Sequence, residues 1–139
     1  MSKLFLDDIR KPSDVTHAMH DGAWVEFPSI WSWEIVRSYA AFTEFILKNG
    51  LPSVISFDHD LSMEHYPGNF EEMMTPIDYT RYTEKTGYDC AKWLVNYCVT
   101  NEKELPDYYV HSFNPVGRVN IHNHLARFIQ IRDAFKDSP

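Results

Sequence analysis

Apolar residues in this chain fall into short runs that stop abruptly at acids or polar pairs. Lys3-Leu4-Phe5-Leu6 runs into Asp7-Asp8, Val54-Ile55-Ser56-Phe57 into Asp58-His59-Asp60, and Tyr108-Tyr109-Val110 into His111-Ser112. Runs of this length, bounded by turn-forming residues, read as buried strands. Trp33 to Arg37 is a fourth candidate. Between them the period changes to a helical one. Ser38 caps a helix whose apolar face carries Phe42, Phe45 and Ile46 and which stops at Asn49-Gly50. Thr86-Gly87-Tyr88-Asp89 has capping-box spacing before Cys90, Trp93, Leu94, Tyr97 and Cys98. Asn114-Pro115 opens a last helix with a stripe of Ile121, Leu125, Phe128 and Ile129.

Two stretches show no sustained period. Lys11 to Ile30 contains Pro12, Gly22 and Pro28 and reads as a long irregular connection; Ser62 to Lys85 contains Pro67, Gly68 and Pro76 among acids, tyrosines and Met73-Met74 and reads as a lid or binding loop. The expected order is strand, loop, strand, helix, strand, lid, helix, strand, helix. Strands alternating with single helices imply an α/β domain around a mainly parallel sheet of about four strands. Residues 1–139 suit one domain, with irregular insertions at about 11–30 and 62–85.

With 44% apolar and 15% aromatic residues the chain can bury a core, and a net charge of −7 argues against broad capture of duplex nucleic acid. Cys90 and Cys98 share one expected helix, too far apart along its axis to bridge each other. No window approaches the roughly 20 apolar residues that span a bilayer, and the amino terminus has no secretory pattern. The expectation is a cytoplasmic protein without membrane attachment.

The chemistry concentrates at the ends of the expected strands. In a parallel sheet these ends share one rim, where open α/β folds bind ligands. Asp7, Asp8, Asp58 and Asp60 would crowd negative charge there, which calls for a compensating hard cation, Mg²⁺ or Mn²⁺; zinc would draw on the histidines instead. His59 and His111 are candidates for proton transfer. Ser112 and the helix start at Asn114 would meet phosphoryl oxygens, although capping alone accounts for Asn114. Arg10, Arg37 and Arg118 are candidate phosphate clamps. His122 and His124 point about 200° apart on a helix and do not form a metal pair. Trp24, Trp31 and Trp33 read as packing residues rather than a stacking platform, and Met73-Met74 with the lid tyrosines are candidates to cover a nucleobase.

An acid pair after the first strand, an Asp after a central strand and a Ser after the next resemble the receiver domain of two-component signalling. The usual lysine-ended fifth strand and first helix are missing from the pattern. A closer likeness is carried by Leu6-Asp7-Asp8-Ile9-Arg10-x-Pro12, Trp33-x-x-Val36-Arg37, Ser56-Phe57-Asp58-His59-Asp60-Leu61, Thr86-Gly87-Tyr88-Asp89 and Val110-His111-Ser112-x-Asn114-Pro115-Val116-Gly117-Arg118. These resemble the signature segments of the cyclic-phosphate-processing receiver-like family over about residues 3 to 129. The resemblance implies a three-layer, flavodoxin-like fold lacking a regular first helix and the last strand, and a ligand that is a small cyclic nucleotide or an RNA-end cyclic phosphate. The expected activity is a metal-dependent phosphodiesterase or phosphohydrolase. Asp7, Asp8 and Asp58 would hold the metal with help from Asp60, and Asp58 is also a candidate transient phospho-acceptor. The alternatives are a non-catalytic cyclic-nucleotide sponge, a degenerate receiver module, or an interaction module with a vestigial pocket.

Overall fold

The apolar runs assemble into one six-stranded sheet in the computed structural model, which describes residues 2–136. The strands are β1 (Lys3–Leu6), β2 (His17–His20), β3 (Ala23–Glu26), β4 (Glu34–Val36), β5 (Val54–Phe57) and β6 (Asp107–Val110), in the order β3-β2-β6-β5-β1-β4. The four strands β4-β1-β5-β6 are mutually parallel, as expected.

The expectation of an irregular connection over 11–30 is corrected. This stretch holds the β2–β3 hairpin, which pairs antiparallel with β6. His20 opposes Ala23, leaving Asp21-Gly22 as a two-residue turn, and both turn residues have positive φ, 51° and 81°. That is the backbone twist that fits a tight hairpin, and Asp-Gly is among the few pairs that adopt it cheaply. The sheet therefore has six strands, not about four. The place beside β6 that a fifth parallel strand would take is filled by β2, running the other way.

Four α-helices follow the capping chemistry: α1 (Tyr39–Asn49), a single-turn α2 (Phe70–Met73), α3 (Gly87–Thr100) and α4 (Pro115–Lys136). Ser38 Oγ accepts from the Ala41 N–H at 3.1 Å, Thr86 and Asp89 cap each other, and Asn114 Oδ1 accepts from the Gly117 N–H at 3.0 Å. Segment 62–85 is ordered by α2, two 3₁₀ turns (Met63–His65 and Tyr79–Arg81) and a closure at its base. There His65 Nδ1 accepts from the Leu61 N–H and Glu64 accepts from the N–H groups of Thr83 and Glu84.

The two faces of the sheet are covered differently. Leu4, Leu6, Ile55, Phe57 and Val110 pack with Phe42 and Ile46 of α1, Leu94 of α3, and Ile121 and Leu125 of α4. The opposite face buries Phe5, Val15, Ala18, Phe27, Val54 and Tyr109 without a helix. Right-handed crossovers explain this asymmetry. The connections β4-α1-β5 and β5-α3-β6 move across the sheet in one direction and lay their helices on one side; β1 to β4 moves the other way, and its linker holds a hairpin instead of a helix. The expected third layer is thus replaced by aromatic side chains, Phe27 stacking on Trp33 at 5.3 Å and meeting Tyr109 edge-on at 5.6 Å. Among the described residues no helix is long and apolar enough to cross a membrane.

Candidate functional site

Register places the site. Leu6 pairs with Phe57 and Phe57 with Val110, so the next residues, Asp7, Asp58 and His111, emerge side by side at the carboxyl rim. Their ligand-type atoms lie within 4.8 Å of one another and all three residues are buried.

Asp7 is held from every side. Its Oδ1 accepts from the N–H groups of Ile9 (3.0 Å) and Arg10 (2.8 Å), and its Oδ2 accepts from Arg10 Nε and His111 Nε2, both at 3.0 Å. Burial pushes this carboxyl up, but the hydrogen bonds from His111 and the two backbone groups outweigh it and hold the pKa at about 2. Both lone-pair directions of both oxygens are used. Asp7 therefore offers no open oxygen to a cation and acts here as an anchor for Arg10 and His111.

Asp58 is in the reverse situation. Burial and the negative charge of Asp7 drive its pKa up to about 8, with Arg10 offsetting only part. Its Oδ1 accepts from the His59 N–H at 2.9 Å and lies 3.6 Å from Arg10 Nη2. Asp60 accepts at Oδ1 from His59 Nδ1 (2.7 Å) and Asn114 Nδ2 (3.1 Å). For both Asp58 and Asp60, Oδ2 has no hydrogen-bond donor among the described residues, so these are the oxygens able to meet a cation. Asp8 is half-buried, accepts from the Tyr66 hydroxyl at 3.1 Å, and is pushed up by burial and then by the charges of Asp7 and Asp60.

The histidines face inward. His111 stacks on Phe5 with ring centroids 4.4 Å apart, gives its Nε2 proton to Asp7 and accepts at Nδ1 from Ser56 Oγ at 2.6 Å. Burial lowers its pKa against the pull of Asp7. The chain Ser56–His111–Asp7 has the residue types of a hydrolytic triad, but Ser56 lies wholly inside the sheet with no access for an acyl or phosphoryl group. His59 is likewise fully buried, its Nε2 accepting from the Tyr79 hydroxyl at 2.9 Å. α4 packs against this ring so tightly that a Cβ on Gly117 would stand 2.3 Å from His59 Cγ. Neither imidazole lines the cavity, and every ring nitrogen of the pair is engaged within the protein; their work is to orient Asp7 and Asp60.

Of the arginines only Arg10 enters the cavity. It bridges Asp7 and Asp58, lies over the Phe113 ring at 4.5 Å, and its Nη1 has no partner among the described residues. Arg37 instead clasps the backbone of the 7–10 turn through the carbonyls of Asp7 and Arg10. Arg118 donates to the Ser112 carbonyl and stacks on Trp24 of the hairpin at 4.7 Å. Ser112 Oγ accepts from the Asn114 N–H, a turn contact at the start of α4.

The cavity measures about 370 Å³, with Arg10, Asp58, Asp60 and Asn114 as its polar floor and Ile9, Tyr66, Pro67, Met73 and Phe113 as its lip. A second hollow of about 510 Å³, formed mostly by 62–85, shares Tyr66, Pro67 and Asn114 with it. Ser56 and Phe113 belong to the site and carry no expectation from the sequence; Tyr66 and Tyr79 are among the expected lid tyrosines, and of the two Tyr66 lines the cavity while Tyr79 bonds His59. Of Ser56 and Phe113 only Ser56 carried a signal, a hydroxyl inside an otherwise apolar buried run. The His122–His124 pair stays apart as expected, one contacting Tyr108 and the other Tyr88.

Over residues 2–127 the chain matches the family described as the cyclic-phosphate processing Receiver domain, and it belongs to that family. No curated protein and no solved structure gives a significant match.

Proposed function

From this membership and the chemistry of the rim, we propose that the chain opens or hydrolyses a cyclic phosphate, on a nucleotide or at an RNA end, with a hard divalent ion, Mg²⁺ or Mn²⁺, as cofactor. The observation that carries the reading is the meeting of Arg10 and Asp58 in one cavity: a guanidinium with an unpaired Nη1 beside a buried carboxyl short of positive charge. Asp58 and Asp60 would hold the ion through their open oxygens. When bound, such an ion supplies the positive charge that polarises a phosphoryl oxygen.

Arg10 would pair with the non-bridging phosphoryl oxygens and offset the charge that develops on them. Asn114 and the N-terminal turn of α4 add donors on the same side. Hydrolysis joins a water oxygen to phosphorus and breaks one ribose O–P bond. In the same step the water gives up a proton and the departing ribose oxygen takes one.

The test is incubation with 2′,3′- and 3′,5′-cyclic nucleotides and an oligoribonucleotide ending in a cyclic phosphate, with Mg²⁺, with Mn²⁺ and with chelator. Ring-opened monoester is expected only with metal, and Asp58→Asn should abolish it. Undiminished turnover by Asp58→Asn would refute the mechanism. The burial of both imidazoles favours one competing reading, a binder that sequesters its ligand intact. Tight binding with quantitative recovery of unaltered nucleotide would decide for that alternative.

A further inference from the structure

We infer that the ligand is a single nucleoside cyclic phosphate and not the end of a polynucleotide; this rests on the cyclic-phosphate reading above and narrows it. Three features of the cavity carry the inference. The first is size, since about 370 Å³ is a hollow for a ligand of one nucleotide rather than a groove for a strand.

The second is the lip. Phe113 and Ile9 are 72% and 67% exposed at the mouth, large apolar side chains left in water directly above a floor of carboxylates and a guanidinium. The Phe113 ring is already backed by Arg10 at 4.5 Å, so it is a steadied aromatic surface. A nucleobase stacking on it would cover apolar area while its cyclic phosphate reached Arg10 below.

The third is what lies beyond. A nucleotide joined on the 5′ side has beside it the adjoining hollow, which shares Tyr66, Pro67 and Asn114 with the cavity. That hollow is walled by Glu64, Glu71, Glu72 and Asp78 against a single arginine, Arg81. Each added nucleotide brings one phosphate charge into this acidic passage, and nothing there replaces the basic residues by which proteins hold a strand. A single nucleoside avoids the passage. Its one free sugar hydroxyl, the 5′-OH of a 2′,3′-cyclic phosphate, brings no charge into it.

The experiment compares a uridine 2′,3′-cyclic phosphate, a dinucleotide and a tetranucleotide ending in the same group, and a base-free methyl riboside 2′,3′-cyclic phosphate. The full chain is used with Mg²⁺. The mononucleotide should exceed the dinucleotide at least tenfold in kcat/KM, or in Kd if the ligand is bound unaltered, and the tetranucleotide should be worse still. Glu71→Lys should narrow the gap between mono- and dinucleotide severalfold. Phe113→Ala should weaken the mononucleotide about tenfold more than it weakens the base-free compound. Equal or better use of the dinucleotide or tetranucleotide overturns this inference and leaves the cyclic-phosphate reading standing. Failure to bind or alter any of the four overturns both.

Discussion

Asp7 and Asp58 end neighbouring strands in matched register, and their surroundings are opposites. Asp7 receives hydrogen bonds on both oxygens and is held at about pKa 2; Asp58, with a single backbone donor and Arg10 at 3.6 Å, is driven to about 8. A row of strand-end acids is therefore not a row of equivalent ligands. An acid whose lone pairs are filled by the protein is structural however close it lies to the cavity. The acid that the fold leaves underserved is the one available to chemistry.

The largest effect should come from breaking the satisfied side. Asp7→Ala strands Arg10 and His111 Nε2 in the interior together with two backbone N–H groups, a loss of about 3–5 kcal/mol readable by urea unfolding. Because the folded pKa of Asp7 is depressed from 3.8 to about 2, its contribution is present above pH 4 and disappears as the pH falls toward 2. The variant should lack that acid step. A loss under about 1 kcal/mol would erase the contrast.

Asp58→Asn should do the reverse, costing at least about a hundredfold in turnover, or about 2.7 kcal/mol, while the protein in chelator melts no lower than the parent. A raised folded pKa gives stability that is full below 3.8 and lost as the pH rises toward 8, so the advantage of the Asn variant should grow between pH 5 and 8. Melting at a lower temperature across that range would place Asp58 with Asp7. Addition of Mg²⁺ or Mn²⁺ sharpens the same point. At about 100 times its dissociation constant the ion should stabilise the parent by about 2.7 kcal/mol in a thermal shift, and the Asn variant by far less. Smallest of all is Tyr79→Phe, which removes the hydroxyl donor to buried His59 and should cost about 1 kcal/mol by the same unfolding assay. No change there would mean that Asp60 needs no support from the 62–85 segment.

The parallel core and its rim were legible because apolar runs that stop at acids carry both the strand and its end, and because Ser38, Thr86 and Asn114 announce helix starts. The hairpin is legible too: Pro12, Gly22 and Pro28 together suggest irregularity, but Asp21-Gly22 between two four-residue segments is itself a hairpin signal. The half-exposed strands of that hairpin show little alternation, which weakens the periodic cue. What was not legible is direction. A histidine at a strand end lies near the rim, but whether its nitrogens face solvent depends on Ser56 from the neighbouring strand or on Tyr79, twenty residues away. The arginines fail for the same reason, since a guanidinium bonds carbonyls, as Arg37 and Arg118 do, as readily as it bonds phosphate. Phe113 gave no signal because a lone aromatic after a strand has no period to betray its role.

One tie between distant parts of the chain has a mechanical meaning. Tyr79 holds His59, His59 holds Asp60, and Asp60 holds Asn114 at the head of α4. Swinging the 79–81 turn outward would slacken an acid at the bottom of the cavity, and drawing it back would brace that acid again. The 62–85 segment and the floor of the cavity are thereby joined mechanically through one phenol and one imidazole.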